Sequence, residues 1–305
     1  MGIFLYLFLY TAAVDLIALL PRLMKLSCTS LPIFKSYLSA AVLVLTAITS
    51  ICGFWNARRI EQVSYEVPLS GKADISDLNI ILISDLHLGS VGSEERLEDI
   101  VNEINALKPD IICIAGDFFD TDFGSIRDPE RAITILKTLA PTYGTYACLG
   151  NHDAGKTVPK MTAFLRECGI HLLLDEAVTV DNRVTIVGRL DGSPIGDYGD
   201  HQRRDISDYF TPDDPSLPVI VLDHNPGNIR TYTNEADLIL CGHTHKGQLF
   251  PGSLITGPMY DVDYGYYQKD SQSPHVVVTS GIGYWGVPMC VGTQCEIVSI
   301  HCVSE

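Results

Sequence analysis

Five apolar runs in the chain each end in residues that can bind metal ions. In chain order these residues are Asp85 and His87, then Asp117, then Asn151 with His152 and Asp153, then His224, and finally His243 and His245. Carboxylate, amide and imidazole groups without a thiolate suit Mn²⁺, Fe²⁺ or Zn²⁺. Because ligands in open α/β sheets bind beyond the carboxyl ends of the strands, the five runs predict one shared site.

Each of these motifs alone has an ordinary structural explanation. An Asp after a strand is often part of a capped turn, and a lone histidine such as His224 is more often a core or surface residue. The set is more specific, because five of the nine histidines lie within it. The other four are assigned no function: His171, His201, His275 and His301. The candidate ligands outnumber the four that one tetrahedral zinc takes, and they fit a pair of ions acting on a phosphoryl group.

Short apolar strands alternating with helices would position these residues. The periodicity predicts strands at 63–67, 78–83, 110–115 and 146–149, and helices at 94–107, 129–139 and 158–168. Further strands are predicted at 178–180, 183–187, 219–222, 238–240, 275–279 and 296–300. The pattern indicates an α/β domain in which the later strands form a second sheet packed on the first. Residues 191–216 are predicted to be a long surface loop.

The first 56 residues differ in composition from the rest of the chain. Segments 3–20 and 36–55 are apolar and have about the 20 residues needed to cross a membrane. They predict a transmembrane hairpin at 1–56, followed by one domain at 57–305. A cleaved signal peptide and a hairpin buried in a globular core are the alternatives. Asp15, within the first segment, is assigned no role.

The net charge of −16 accompanies a positive mean hydropathy. The acidic excess lies in the domain, and it excludes a nucleic-acid polymer as partner because phosphate backbones need a basic surface. Three basic residues near the loop between the spans (Arg22, Lys25 and Lys35) outnumber the two that follow the second span, Arg58 and Arg59. This difference favours a multi-pass protein of the cell membrane with its domain outside the cytoplasm.

The cysteines leave the redox environment open. Cys113 and Cys148 lie in apolar strands and are predicted to be core residues. Cys290, Cys295 and Cys302 are close enough in sequence to permit a disulfide, although no pairing can be deduced.

As an ordered set, the motifs resemble the calcineurin-like metallophosphoesterase superfamily. The resemblance rests on five blocks, which are Asp85-x-His87, Gly116-Asp117, Gly150-Asn151-His152-Asp153, His224 and Gly242-His243-x-His245. The segments 247–251 and 279–286 are most similar to its bacterial membrane-associated or exported branch. The resemblance covers about residues 61–300.

The resemblance implies a four-layer α/β/β/α sandwich with two divalent metal ions. One ion would be held by Asp85, His87 and His245, the other by Asn151, His224 and His243, and Asp117 would bridge them. Hydroxide shared by the ions would attack a phosphomono- or phosphodiester in line. His152 would donate a proton to the leaving oxygen, and Asp153 would orient His152.

The residues at two positions differ from those of related proteins. Asp120 occupies the position where purple acid phosphatases have a tyrosine ligand, so no such ligand is expected. Lys246 stands where relatives of the branch often have glycine, and it is expected to point to solvent rather than to the phosphate. Eight aromatic residues near the motifs either line an apolar approach or belong to the core: Phe118, Phe119, Phe123, Tyr264, Tyr266, Tyr267, Tyr284 and Trp285.

These observations predict a membrane-anchored metallophosphoesterase, a hydrolase that uses Mn²⁺, Fe²⁺ or Zn²⁺. An anchored site that faces the membrane suggests a small phosphoester or phospholipid-type substrate, such as a lipid or an envelope precursor. The alternative is a non-catalytic binding scaffold of the same fold at the membrane. The complete set of ligands favours the enzyme.

Overall fold

Two long helices precede the domain in the computed structural model, which describes residues 1–23, 32–69, 75, 77–208, 210–212, 214–232 and 235–304. Helix α1 spans Gly2–Leu23 and helix α2 spans Pro32–Asn56. Tyr10 hydrogen-bonds to Thr49 (2.7 Å between the hydroxyl oxygens), and both Gly2 and Gly53 contact Met289, so the two helices run antiparallel. Lys25, used above in the charge comparison, lies outside the described residues.

Both helices contain a stretch that is long and apolar enough to cross a membrane, Gly2–Leu19 and Ser36–Asn56. Only 11% of the first stretch and 22% of the second is buried. The alternative of a hairpin buried in a globular core is therefore wrong.

The first sheet has six strands in the order β1-β12-β2-β3-β4-β5. Their bounds are β1 Ile60–Leu69, β2 Asn79–Ile83, β3 Ile111–Ala115, β4 Thr145–Cys148, β5 His171–Leu172 and β12 Cys295–Ser304. Strands β2 to β5 are parallel, and β12 is parallel to β1 but antiparallel to β2. Continuous apolar runs suit these strands, because both faces of the sheet are covered.

Three helices cover the outer face of this sheet, and they are α3 (Leu97–Ala106), α4 (Pro129–Leu136) and α5 (Val158–Glu167). Helix α4 begins where the Asp128 carboxylate accepts the backbone N–H of Arg131. Helix α5 ends before Gly169, whose φ of 78° lets the chain turn away. Ile104, Leu136 and Leu165 bury the inner faces of the three helices against the sheet.

The second sheet has the strand order β10-β11-β9-β8-β7-β6. The strands are β6 Glu176–Val180, β7 Val184–Gly188, β8 Val219–Leu222, β9 Leu238–Cys241, β10 Gly265–Tyr267 and β11 His275–Val278. Leu82, Ile220 and Leu240 belong to the core between the sheets. The outer layer consists mainly of 3-10 helices, Ile206–Asp208 and Pro226–Thr231, and of loop segments. The predicted α/β class with two packed sheets is confirmed.

Several details of the sequence prediction are wrong or incomplete. The strand predicted at 296–300 is part of β12, which lies in the first sheet rather than the second. Strands β5 and β10 were not predicted. The segment 191–216 has no α-helix among its described residues, but it is not simply a surface loop, because Asp191, Tyr198, Ile206 and Phe210 are buried. Cys290, Cys295 and Cys302 are free thiols, so none of the three forms a disulfide.

Candidate metal centre

The candidate ligands lie at one edge of the two packed sheets. Strands β2, β3 and β4 of the first sheet and β8 and β9 of the second each run directly into one of the motifs. Backbone hydrogen bonds continue between the strand ends, from Asp85 N–H to the Gly116 carbonyl (3.0 Å) and from Gly242 N–H to the His224 carbonyl (2.9 Å). The expected convergence of five strand ends on one place is confirmed.

Several residues at this edge have a left-handed backbone conformation. Among the candidate ligands, positive φ angles occur at Asp85, His87, Asp117, His243 and His245. Residues other than glycine are uncommon in this region, and such strained positions cluster at functional sites. In this conformation the side chains of Asp85 and His87 approach each other, with 3.8 Å between Oδ1 and Nε2.

The first ligand group consists of Asp85, His87 and His245, all buried. The Nε2 atoms of His87 and His245 are 3.1 Å apart, and Nε2 of His245 is 3.3 Å from Oδ1 of Asp85. The ligand atoms of the three residues lie within 4.8 Å of one another. They therefore face a common point that one cation can occupy.

The second group consists of Asp117, His224 and His243, with Asn151 beside them. Oδ2 of Asp117 is 3.1 Å from Nε2 of His224. Oδ1 of Asn151 is 3.1 Å from the same nitrogen and 2.8 Å from Nδ1 of His243. The Asp117 carboxylate also lies 3.9 Å from Nε2 of His87 in the first group. Asp117 is thus placed between the two groups.

The chemistry of these donors fits a pair of divalent ions. Oδ1 of Asp85 is buried without a hydrogen-bond partner, and an unpaired buried carboxylate oxygen is costly unless a cation satisfies it. Burial lowers the pKa of His87, and burial together with the neighbouring His224 lowers that of His243 to about 4. Both rings are therefore neutral at ordinary pH, the form in which imidazole binds metal ions.

The ring of His224 behaves differently from its neighbours. Burial opposes a charge on this ring, but nearby carboxylates, chiefly Asp117, raise its pKa well above the ordinary value. Burial likewise opposes a charge on Asp117, yet the contact with His224 lowers the pKa of that carboxyl. Without a metal ion, a proton on His224 therefore balances the charge of Asp117, and a bound cation would take the place of that proton.

Two motif glycines allow the strand ends to approach each other. A Cβ atom at Gly150 would overlap Oδ1 of Asp117, and one at Gly242 would overlap Oδ2 of Asp85. Each glycine therefore leaves room for the carboxylate from another strand end. This is the physical reason for glycine in the motifs Gly-Asn-His-Asp and Gly-His-x-His.

His152 lines a cavity of about 400 Å³ next to both groups. Its backbone N–H donates to Oδ1 of Asp117 (2.8 Å), and its Nδ1 hydrogen-bonds to the carbonyl of Asp120. Because a carbonyl only accepts, Nδ1 carries the proton. Nε2 is the remaining ring nitrogen, which is available to a ligand in the cavity.

Asp153 makes no hydrogen bond to the His152 ring, contrary to the role that the resemblance implied for it. Its two carboxylate oxygens accept the backbone N–H groups of Phe119 and Gly150, each at 2.9 Å. Asp153 is fully buried, and burial, followed by the charge of Asp117, raises its pKa to about 7. It therefore ties the loops after β3 and β4 together, while the Asp120 carbonyl orients His152.

The other residues singled out near the site can also be placed. Nζ of the half-buried Lys246 lies 3.8 Å from the centre of the Tyr264 ring, and Lys246 is not among the residues that line the cavity. Of the eight aromatic residues considered, Trp285 lines the cavity, whereas Phe118, Phe119 and Tyr284 are buried in the core. Asp120 supplies its carbonyl to His152, and its Oδ1 lies 3.7 Å from Nδ1 of His87.

Sequence reasoning missed three residues that support the site. Ser84 donates a hydrogen bond to Asp85, and its position directly before that residue was an available signal. Gln248 holds the loop that carries Trp285 through two hydrogen bonds, of 2.8 and 2.9 Å. Arg203 forms a bidentate pair with Asp223, the neighbour of His224, at 3.2 and 2.6 Å. No local pattern marks Arg203, which lies within the segment predicted to be a surface loop.

Replacement of Arg203 by Met is expected to destabilise the fold by about 3–5 kcal/mol, because it leaves the fully buried carboxylate of Asp223 without its counter-charge. The hydroxyl of Tyr232 would remain as a donor, at 2.6 Å. Thermal unfolding followed by circular dichroism measures the effect. Arg230→Met is the matched control, since the Arg230–Asp261 pair is largely exposed and should leave the melting temperature unchanged. Equal melting temperatures for both variants would contradict this role.

Comparisons with known proteins agree with the geometry. A family model described as calcineurin-like phosphoesterase matches residues 78–247, which include all seven candidate ligands. An uncharacterized metallophosphoesterase of Helicobacter pylori (strain J99) is 32% identical over 235 residues, 74% of this chain and 60% of that protein. A transmembrane protein with metallophosphoesterase domain from Danio rerio is 29% identical over 270 residues, 85% of this chain and 61% of that protein.

The match with a third relative extends over nearly the whole length of that relative. The UDP-2,3-diacylglucosamine pyrophosphatase LpxG of Chlamydia trachomatis is 25% identical over 310 residues, 82% of this chain and 91% of that protein. The chain spans about three fifths of the length of the first two relatives. The apolar helices and the relatives named as transmembrane proteins indicate membrane association. By its family model and its arrangement of motifs, the chain belongs to the calcineurin-like phosphoesterases.

Proposed function

We propose that this protein is a membrane-anchored, metal-dependent phosphoesterase. The observation that carries the proposal is the convergence of two adjacent ligand groups on one cavity, from the ends of strands in both sheets. One ion would be held by Asp85, His87 and His245, the other by Asn151, His224 and His243, and the carboxylate of Asp117 would contribute to both. Manganese, iron(II) and zinc all suit such oxygen and nitrogen donors.

Two bound ions would supply a water of lowered pKa and positive charge for the phosphoryl oxygens. The residues of the chain do the remaining work. Asp117 and Asp85 provide the negative charge that keeps cations in the site. In its imidazolium form His152 keeps one proton on Nδ1, bonded to the Asp120 carbonyl, and would give the second, on Nε2, to the leaving oxygen of the ester. Trp285 and Ile255 line part of the cavity and make that part of its wall apolar.

The anchor in this proposal is the hairpin at 1–56, and the catalytic domain is 57–305. The protein would be a multi-pass protein of the cell membrane with the domain outside the cytoplasm. The length and exposure of the two apolar helices support the anchor. The orientation rests on the basic residues of the loop between the helices.

The proposed substrate is a small phosphoester of the phospholipid or envelope-precursor type. Two observations favour this class over a nucleic-acid polymer, the acidic charge of the chain and its similarity to a pyrophosphatase named for a diacylglucosamine nucleotide. The choice between phosphomonoester and phosphodiester is left to experiment.

The test uses the full chain, purified in detergent and loaded with Mn²⁺, Fe²⁺ or Zn²⁺. We expect metal-dependent hydrolysis of a chromogenic phosphodiester or phosphomonoester, with two ions per chain measured on the same sample by mass spectrometry. Chelation should remove the activity, and readdition of the ion should restore it. Two bound ions without turnover of either ester would favour the alternative, a binding scaffold.

A further inference from the structure

The exposed apolar side chains of the domain are concentrated beside the cavity. Among the described residues after α2, eight large apolar side chains are exposed. Five of them belong to two neighbouring segments, and we call them the apolar rim: Phe250, Leu254, Ile255, Met259 and Trp285. Scattered exposed apolar residues are normal, but a contiguous group marks a surface that contacts something apolar.

A short helix carries most of the rim. Helix α6 spans Ser253–Met259, and none of its residues is buried. Leu254, Ile255 and Met259 are between 63% and 67% exposed, so they contribute little to the core. The helix is held by polar contacts instead, such as the hydrogen bond from Thr256 to Asp263 (2.7 Å). Its apolar side chains therefore need another partner.

The rim is attached to the ends of the two apolar helices. The hydroxyl of Tyr6 in α1 donates to the carbonyl of Phe250 at 2.8 Å. The side chain of Met289 contacts both Gly2 and Gly53, and the N–H of Cys290 donates to the carbonyl of Gly53 at 3.0 Å. These contacts lie where the apolar helices begin and end on the domain side.

The position of Tyr6 gives the distance between the rim and the end of α1, measured along the helix. Tyr6 is four residues inside α1, and a helix rises 1.5 Å per residue, so the contact with Phe250 lies about 6 Å below the helix end. Amphipathic elements on membranes bury their apolar faces about 5–10 Å into the boundary between headgroups and acyl chains. If α1 spans the bilayer, Phe250 and its neighbours reach this layer.

Two residues of the rim also line the cavity. Trp285 and Ile255 line the cavity together with His152 and His245. The ring of Trp285 is 6.3 Å from that of His152. A ligand in the cavity would thus have the metal-binding groups on one side and the apolar rim on the other.

We propose that the apolar rim enters the interfacial layer of the bilayer, so that the cavity opens at the level of the lipid headgroups. The site then takes a phosphoester whose apolar chain stays in the membrane while its phosphorus reaches the metal centre. This inference rests on the proposed function for the chemistry and on the proposed anchor for the geometry. The occupant of the rim is lipid, because the rim is continuous with helices that fit a bilayer.

The depth of the rim can be measured without any activity. Trp55 and Trp285 are the two tryptophans of the chain, so Trp55→Phe leaves Trp285 as the sole reporter. The full chain is reconstituted into phosphatidylcholine vesicles that contain phosphatidylcholine brominated on the acyl chains. We expect the brominated lipid to quench Trp285 fluorescence strongly and aqueous iodide to quench it weakly. Strong quenching by iodide alone would overturn the proposal.

Variants of α6 test whether the apolar side chains of the rim cause its insertion. The double variant Leu254→Glu/Met259→Glu adds charge to the rim at two positions outside the cavity wall. The matched control, Leu254→Met/Met259→Leu, exchanges the two side chains and keeps the apolar surface. We expect quenching by brominated lipid to fall by at least about half in the Glu variant and to stay unchanged in the control. Unchanged quenching in the Glu variant would contradict insertion of the rim.

Two probes with the same scissile bond test the substrate class, p-nitrophenyl hexadecyl phosphate and p-nitrophenyl ethyl phosphate in the same vesicles. We expect kcat/KM to be at least about tenfold higher for the hexadecyl ester, since its chain partitions into the bilayer. The Glu variant should lose this advantage but keep the rate on the ethyl ester. Equal rates on both esters in the unaltered protein would overturn the inference. No hydrolysis of either ester would instead count against the proposed function, while the quenching result still decides the position of the rim.

Discussion

Asp117→Asn is expected to reduce the tightly bound metal ions from two per chain to one and to abolish turnover. The substitution preserves shape but removes a negative charge placed between the two ligand groups, 3.1 Å from His224 and 3.9 Å from His87. The amide oxygen can still accept the N–H of His152, which donates to Oδ1 at 2.8 Å in the structure. The loss should therefore reflect missing charge between two cations rather than a disrupted loop.

The measurement for Asp117→Asn combines metal analysis with a rate assay on the same sample. Asp237→Asn provides the matched control, because Asp237 also accepts a backbone N–H, from Val219 at 2.7 Å, but directly precedes β9, at the end opposite the candidate ligands. The control should retain two ions and full activity. If Asp117→Asn retained both ions and the full rate, Asp117 would not be the bridging ligand.

The second large effect is expected for His152→Ala, which should slow turnover by about 10²–10⁴-fold while both ions stay bound. His152 lies in the cavity and belongs to neither ligand group. Its Nδ1–H is held by the Asp120 carbonyl, and the proton for the leaving oxygen comes from Nε2 of the imidazolium form. The loss should be greater for an ester with a poor alkoxide leaving group than for a p-nitrophenyl ester, which departs without a proton.

Metal content, kcat and the dependence on the leaving group distinguish this role from a structural one. His301→Ala serves as the control, since His301 is an exposed residue of β12 outside both ligand groups. Loss of an ion in His152→Ala would indicate that His152 is a ligand. An equal loss for good and poor leaving groups would contradict proton donation.

The convergence of the candidate ligands could be predicted from sequence because each of the motifs is local. Asp85 and His87, or His243 and His245, are two residues apart, and each pair follows an apolar strand whose end was recognisable. Parallel strands then bring such ends together without further information. The predicted strands and helices of the first half match the observed ones within a few residues for the same reason.

The features that could not be predicted depend on contacts between distant parts of the chain. Asp153 is next to His152 in sequence, but its carboxylate bonds to the N–H of Phe119, which follows a different strand. Arg203 lies in a polar segment without periodicity, and its role follows only from burial against Asp223. The alternation of apolar residues in β12 predicted a strand but could not identify the sheet that the strand joins.

The position of β12 beside β1 has a consequence for the order in which parts of the protein fold during synthesis. Strand β1 follows the hairpin by a few residues, and it lies at the end of the described sheet with β12 as its one neighbour. Ile60 pairs with Cys295 and Leu69 with Ser304, so β1 has no partner strand until residues 295–304 have been synthesised. The two apolar helices are synthesised long before that moment. The part of the domain next to these helices is therefore the last to close, and such long-range pairing is intrinsically slow.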